Sequence, residues 1–319
     1  MANPSSQQVY SWKNFELGTE LQIAGSFLYN ALYSFDRMKH FYFEEECFEF
    51  LYQSSVGVER LLKIMLILLE HDEYTDQDSF EKSLITHNHV ELYDRIRKKR
   101  KTGWGDVHVQ FFQLLADFYR SSRYDRFGLE SVTRPDQARV LLIRFVEKHL
   151  KISIKAELPI STPIDERMRT FIGRMIGKIA TVGYEAVKEL ATRRQLYTYE
   201  LNYDSKAFRL FVAGEYTFEN ERTLRRELLI ALLHHRFDSG WVDYIKNIPP
   251  IAFESLSPSD YLRYLVDIHT HQDILDELET RYEDGPFDKG RAAEVALIGT
   301  DTSPRAYDDE DYDDDEDIS

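Results

Sequence analysis

An all-α fold is the class this sequence predicts, and three observations predict it. Apolar residues recur three and four positions apart through most of the chain, the mark of helices with one buried face. The interruptions carry helix-stop chemistry: Gly103 and Gly105, Pro135, and the pair Pro159 and Pro163. Only residues 196–201 alternate as a short strand would, which is too little for a sheet. With 319 residues, of which 43% are hydrophobic and 30% charged, the chain has material for one large or two ordinary soluble globular domains.

In order, residues 1–19 read as a polar lead-in. Ile23, Phe27, Leu28, Ala31, Leu32, Phe35 and Met38 then mark a first amphipathic helix. A longer one follows on Phe43, Cys47, Phe50, Leu51, Val58, Leu61, Leu62, Met65, Leu66 and Leu69. Residues 72–78 read as a polar loop. A third helix is predicted over 90–101, ending in a basic run, and a fourth starts near Asp106. Pro135 is a favourable first-turn residue for a fifth, which carries Val140, Leu141, Ile143, Phe145 and Val146. Residues 153–163 read as a linker. Beyond it, Met168, Phe171, Ile172, Met175, Ile176 and Ile179 predict a long helix reaching about Thr192, and further helices are predicted near 220–236 and 258–282. From about residue 285 the composition predicts disorder. The expected core includes Phe27, Leu32, Leu61, Met65, Leu69, Leu115 and Phe118.

Charge is unevenly distributed. The formal net charge is −16, yet residues 95–151 hold fourteen Lys and Arg against six Asp and Glu. Residues 308–317 place nine carboxylates within ten positions, a tail suited to a basic partner. Cys47 is the only cysteine, so there is no disulfide framework and no thiolate metal site, and a reducing, cytoplasmic compartment is expected. The first residues lack the basic and apolar regions of a secretory signal. The longest strongly apolar run, residues 64–69, is far too short to cross a bilayer, so no membrane partner is expected.

Two basic clusters stand out. Arg120, Arg123 and Arg126 are three residues apart, so on a helix they share one broad face, with Tyr124 among them. Such a face suits a phosphate backbone, a nucleotide, or the chain's own carboxylates Asp117 and Asp125. Arg95, Arg97, Lys98, Lys99, Arg100 and Lys101 form the second, at a helix C-terminus where the dipole favours cations in any case. Trp104 lies nearby as a possible base-stacking surface. His87 and His89, two apart, cannot share a helix face and have no cysteine or acidic cluster to complete a metal site. No phosphate-cradling glycine loop or metalloprotease motif is present. No cofactor or metal is implied.

Two segments carry a resemblance. Residues 86–96 (Thr-His-Asn-His-Val-Glu-Leu-Tyr-Asp-Arg-Ile) are similar to the Thr-His-Asp-Leu-x-x-Leu segment that opens the third helix in one branch of the HEPN superfamily. Arg123 and Tyr124 are similar to that branch's Arg-Tyr-Pro, with Asp125 where the proline stands. The resemblance implies an antiparallel HEPN-like helical bundle over residues 20–152 that pairs as a homodimer, with a second helical region over 164–284. It also implies an RNA- or nucleotide-binding role, in which Arg120, Arg123 and His87 meet near the dimer seam. Many HEPN proteins are metal-independent ribonucleases of toxin–antitoxin or antiviral-defence systems, marked by Arg and His four to six residues further on. Arg144 with His149, and Arg263 with His269, have that spacing. About two such pairs arise by chance among 25 Arg and 10 His, so the spacing alone adds nothing. The alternative expectation is a non-catalytic dimeric scaffold whose acidic tail docks on a basic partner.

Overall fold

The computed structural model describes residues 5–122, 138–157, 160–234, 240–251, 258–266, 272–284 and 289–300. All regular structure among them is helical. Two isolated bridges, His40 with Pro163 and Ala156 with Ser161, are the only β pairings there. The chain divides into two compact units, Met1–Phe218 and Glu219–Ser319.

The first unit contains α1 (Ser6–Ser11), a π-helical turn (Trp12–Glu16), α2 (Leu17–Arg37), α3 (Glu44–Glu70), α4 (Gln77–Ser83) and α5 (His89–Lys99). It continues with α6 (Asp106–Ser122), α7 (Ala138–Leu150), α8 (Glu166–Arg193) and α9 (Lys206–Phe211). Local chemistry sets several starts. Asp76, Asn88, Asp165 and Ser205 each accept a backbone N–H three residues on, satisfying one of the first-turn donors that a helix leaves open.

Helix α3 is the axis of this unit. Its buried residues include Cys47, Phe50, Leu51, Ser54, Ser55, Gly57, Val58, Leu61, Leu62, Met65 and Leu66, far more than one stripe, because α2, α5, α6, α7 and α8 all pack on it. The pairs Glu20–Arg60, Leu28–Gly57 and Phe35–Phe50 show α2 antiparallel to α3. Leu61 against Gly183, and the His71 carbonyl bonded by Arg194, show α8 running in the same direction as α3. Gly57 and Gly183 let these helices approach closely: a Cβ on Gly183 would lie 2.5 Å from Leu61 Cδ2. Each buried leucine or phenylalanine along this axis contributes about 1.5–3 kcal/mol through removal of apolar surface from water.

Of the expected core, Leu32, Leu61, Met65, Leu115 and Phe118 are buried, while Phe27 and Leu69 are half-buried. Residues 6–16 of the polar lead-in are helical. Ser5 and Gln8 form a reciprocal capping box for α1, and Lys13 and Asn14 are buried. The segment expected as a linker lies inside the first unit: Thr162 N–H donates to Lys155 O, and Ile164 N–H to Lys39 O.

The expected strand over 196–201 is absent. Leu196 N–H closes back on Ala191 O, Tyr197 N–H donates to Asn14 Oδ1, and Thr198 Oγ1 donates to Lys13 O. The alternation is nevertheless real, since Leu196 and Thr198 are buried and Tyr197 is exposed. It records a segment lying on the π-helical turn, whose polar groups replace a neighbouring strand.

The second unit contains α10 (Glu219–Leu233), α11 (Gly240–Asn247), α12 (Pro258–Val266), α13 (Gln272–Asp284) and α14 (Lys289–Ala296). Helix α14 falls where disorder was expected. Ile274 is the one buried hydrophobic residue among the described residues of this unit. The acidic tail, residues 308–317, lies outside the described residues. No described helix is long and apolar enough to cross a membrane.

Candidate functional site

Of the first predicted cluster the structure describes only Arg120. Arg123, Tyr124 and Arg126 lie outside the described residues. Arg120 is exposed and forms an ion pair with Asp117, one of the chain's own carboxylates. His87 does lie beside this end of α6: its ring stacks on Tyr119 at 4.0 Å, and its Nδ1 is 2.8 Å from Glu59 Oε2. Burial would raise the Glu59 carboxyl, but hydrogen bonds from Lys63 and His87 hold it below its ordinary range. His87 therefore pins the approach to α5 onto α3, while Asn88 is the residue that caps α5.

In the basic run, half of the cations are structural. Arg95 binds Glu70 at 2.6 Å and the Ser83 carbonyl at 2.9 Å. Arg97 pairs with Asp94, and Arg100 pairs with Glu189 at 2.6 Å, tying α5 to α8. Lys98, Lys99 and Lys101 are exposed. Trp104, read as a stacking surface, is instead buried against Tyr93 and Phe112.

Arg144 and His149 are not brought together within the chain. Five residues apart on α7, they point about 140° away from each other. Arg144 is exposed, whereas His149 packs against Phe145 at 4.6 Å and Phe171 at 5.8 Å. Arg263 lies on α12, and His269 lies outside the described residues. Cys47 offers no nucleophile either, because burial and the neighbouring glutamates push its thiol up to about 12.

A better-formed site lies where α6, α7 and α8 meet. A groove of about 630 Å³ is lined by Val107, Leu150, Phe171 and Met175 on its apolar side and by Arg167, Thr170, Arg174 and Lys178 on its polar side, with His108 and Glu166. Arg167, Arg174 and Lys178 are seven and four residues apart, so they lie within about 40° of one another on α8. All three are exposed. Arg167 donates to the Leu150 carbonyl at 3.0 Å, and none of the three is ion-paired to a carboxylate among the described residues.

His108 is set by the start of α6. Its Nδ1 faces the Gly105 backbone, 3.0 Å from the N–H and 3.3 Å from the carbonyl oxygen. Burial holds its pKa below the ordinary histidine value, opposed by the hydrogen bond to Gly105 and aided by the smaller effect of the Lys178 charge. The groove thus combines three cations, a buried imidazole and the half-buried ring of Phe171, on which His149 stacks. Chemically this suits a phosphate group attached to an apolar or planar body. The sequence signal for it was a stripe at helical spacing within a mostly apolar helix, rather than a run of adjacent charges.

No family model, curated protein or solved structure matches this chain.

Proposed function

We propose that this protein is a HEPN-like RNA- or nucleotide-binding protein, and that the groove between α6, α7 and α8 is the seat of the phosphate. The observation that carries the reading is the stripe of Arg167, Arg174 and Lys178, free of carboxylate pairing among the described residues and laid beside an apolar floor. Arg95 and Arg100 are ion-paired to Glu70 and Glu189, whereas these three have no carboxylate partner among the described residues. The reading stops at binding, because Arg144 and His149 face different ways on α7.

Fluorescence anisotropy with a labelled single-stranded RNA tests it. Affinity should fall with salt, and R174A/K178A should weaken binding and reduce the slope of log K against log[salt] by roughly 1.4, twice the ~0.7 per single-strand phosphate contact. K98A/K99A/K101A on the exposed basic run, and R123A on the predicted arginine face, serve as comparisons. Binding unchanged in R174A/K178A would remove the groove from the reading.

The interaction-scaffold reading has its own observation. Leu224, Leu228, Ile230, Leu232 and Leu233 of α10 are each about half exposed or more, as are Leu262 and Leu265 of α12 at 44% and 58%. Apolar faces of that kind mark protein contacts. Sedimentation of the chain over a concentration series would show self-association as a rising mass.

A further inference from the structure

A second site lies at the opposite end of α8, independent of the groove. Arg194, which caps α8, is 20 residues beyond Arg174, about 30 Å along the helix. There the C-terminus of α3 meets the π-helical turn. Lys13 Nζ donates to the His71 carbonyl at 2.9 Å, and Arg194 Nη1 donates to the same oxygen at 2.6 Å. A helix end needs one donor at such a carbonyl; here two full cations converge on it. Lys13 is only 6% exposed, and neither cation has an ion-paired carboxylate among the described residues.

Around this point is a pocket of about 650 Å³, whose lining includes Tyr10, Tyr74, Thr75 and Gln77. Asp72, a carboxylate on the pocket lining, is turned to its own loop: it accepts from Tyr74 N–H at 3.0 Å and from Thr75 Oγ1 at 2.8 Å. Glu73 lies on the rim. His71 is 2% exposed, and its Nδ1 is buried with no hydrogen-bond partner, while Nε2 bonds Gln77 Oε1 at 2.8 Å. Burial, and then the repulsion of Arg194, bring the Lys13 ammonium down to about 8, against a smaller opposing pull from Asp72. Two cations converge at a cost on one neutral carbonyl oxygen at the pocket wall, and what they lack is an anion.

We propose that the Lys13–Arg194 pocket binds a small molecule through a terminal phosphate group. The phosphate would take the charge of Lys13 and Arg194, and the remaining volume, in the range of small-ligand sites, would hold the body of the molecule between Tyr10 and Tyr74.

Isothermal titration calorimetry of the full chain tests this with two probes, inorganic phosphate and a nucleoside 5′-monophosphate. Saturable binding of at least one is expected, with K13M and R194Q each weakening it about tenfold or more, as loss of a charged hydrogen bond does. Arg194 is exposed, so R194Q keeps the fold even if K13M does not. Affinity should also fall as pH rises past about 8 and Lys13, which faces Arg194, Asp72, Glu73 and His71 in the pocket, loses its proton. R174A/K178A should leave this binding intact, which separates its failure from that of the groove. Absence of saturable binding by both probes, or wild-type affinity in R194Q, would overturn the proposal.

Discussion

His89 lets one stability prediction be worked through from the structure. The residue is fully buried at the first turn of α5, and its Nε2–H donates to the Ser55 carbonyl at 2.9 Å. Its Nδ1 is buried without a partner, so no site is ready for a second proton. Burial pushes its pKa below the ordinary histidine value, with the Ser55 bond opposing. In the unfolded chain the ring takes a proton near pH 6.5, while in the fold it stays neutral. The unfolded state therefore binds more protons below pH 6.5, and stability falls as pH drops, until the folded pKa is reached. This one group then removes about 1.4 kcal/mol between pH 7.5 and 5.5. H89Q keeps an N–H donor for Ser55 and removes the titration, so the wild type should lose about that much more stability than H89Q over the same interval. Urea unfolding at fixed ionic strength measures it. A W241F background, in which Trp12 and Trp104 remain, confines the fluorescence to the first unit. Parallel loss of stability in both proteins would refute the reasoning, whatever the constant offset between them.

Three further outcomes follow from packing and charge. G173A should cost about 1–3 kcal/mol, because its Cβ would lie 2.5 Å from the Tyr216 carbonyl oxygen, which is backbone; G105A, with nothing within 4 Å, should be near neutral. Thermal unfolding distinguishes the two. A fragment of residues 1–218 should fold cooperatively by itself, since all the buried hydrophobic residues described, except Ile274, lie within it; a non-cooperative melt would contradict the division. Truncation after Tyr307 removes the acidic run and should tighten RNA binding at low salt, an effect that fades as salt screens the charges. Equal affinity with and without the tail would show that it does not compete.

The long helices of the first unit, α2, α3 and α5 to α8, were legible because each must bury one face, and a period of three to four residues is written into the chain; the short α1, α4 and α9 and the π-helical turn were not. Even the buried pair Leu61 and Met65 could be named from spacing alone. What spacing could not convey is where a face is buried and which polar groups meet. The 196–201 segment has a strand's alternation, yet its partner is the π-helical turn some 180 residues earlier, through Asn14 and Lys13. The basic run looked like one surface, but Glu70 and Glu189, distant in sequence, claim Arg95 and Arg100 for the fold. Conversely, Lys13 sits in a stretch that reads as a polar lead-in, and becomes a buried cation only because Arg194 and the end of α3 arrive beside it. A sequence determines hydrophobic period and local capping, which are short-range. Ion pairing and desolvation depend on which groups come within a few ångströms of each other, and tertiary packing decides that.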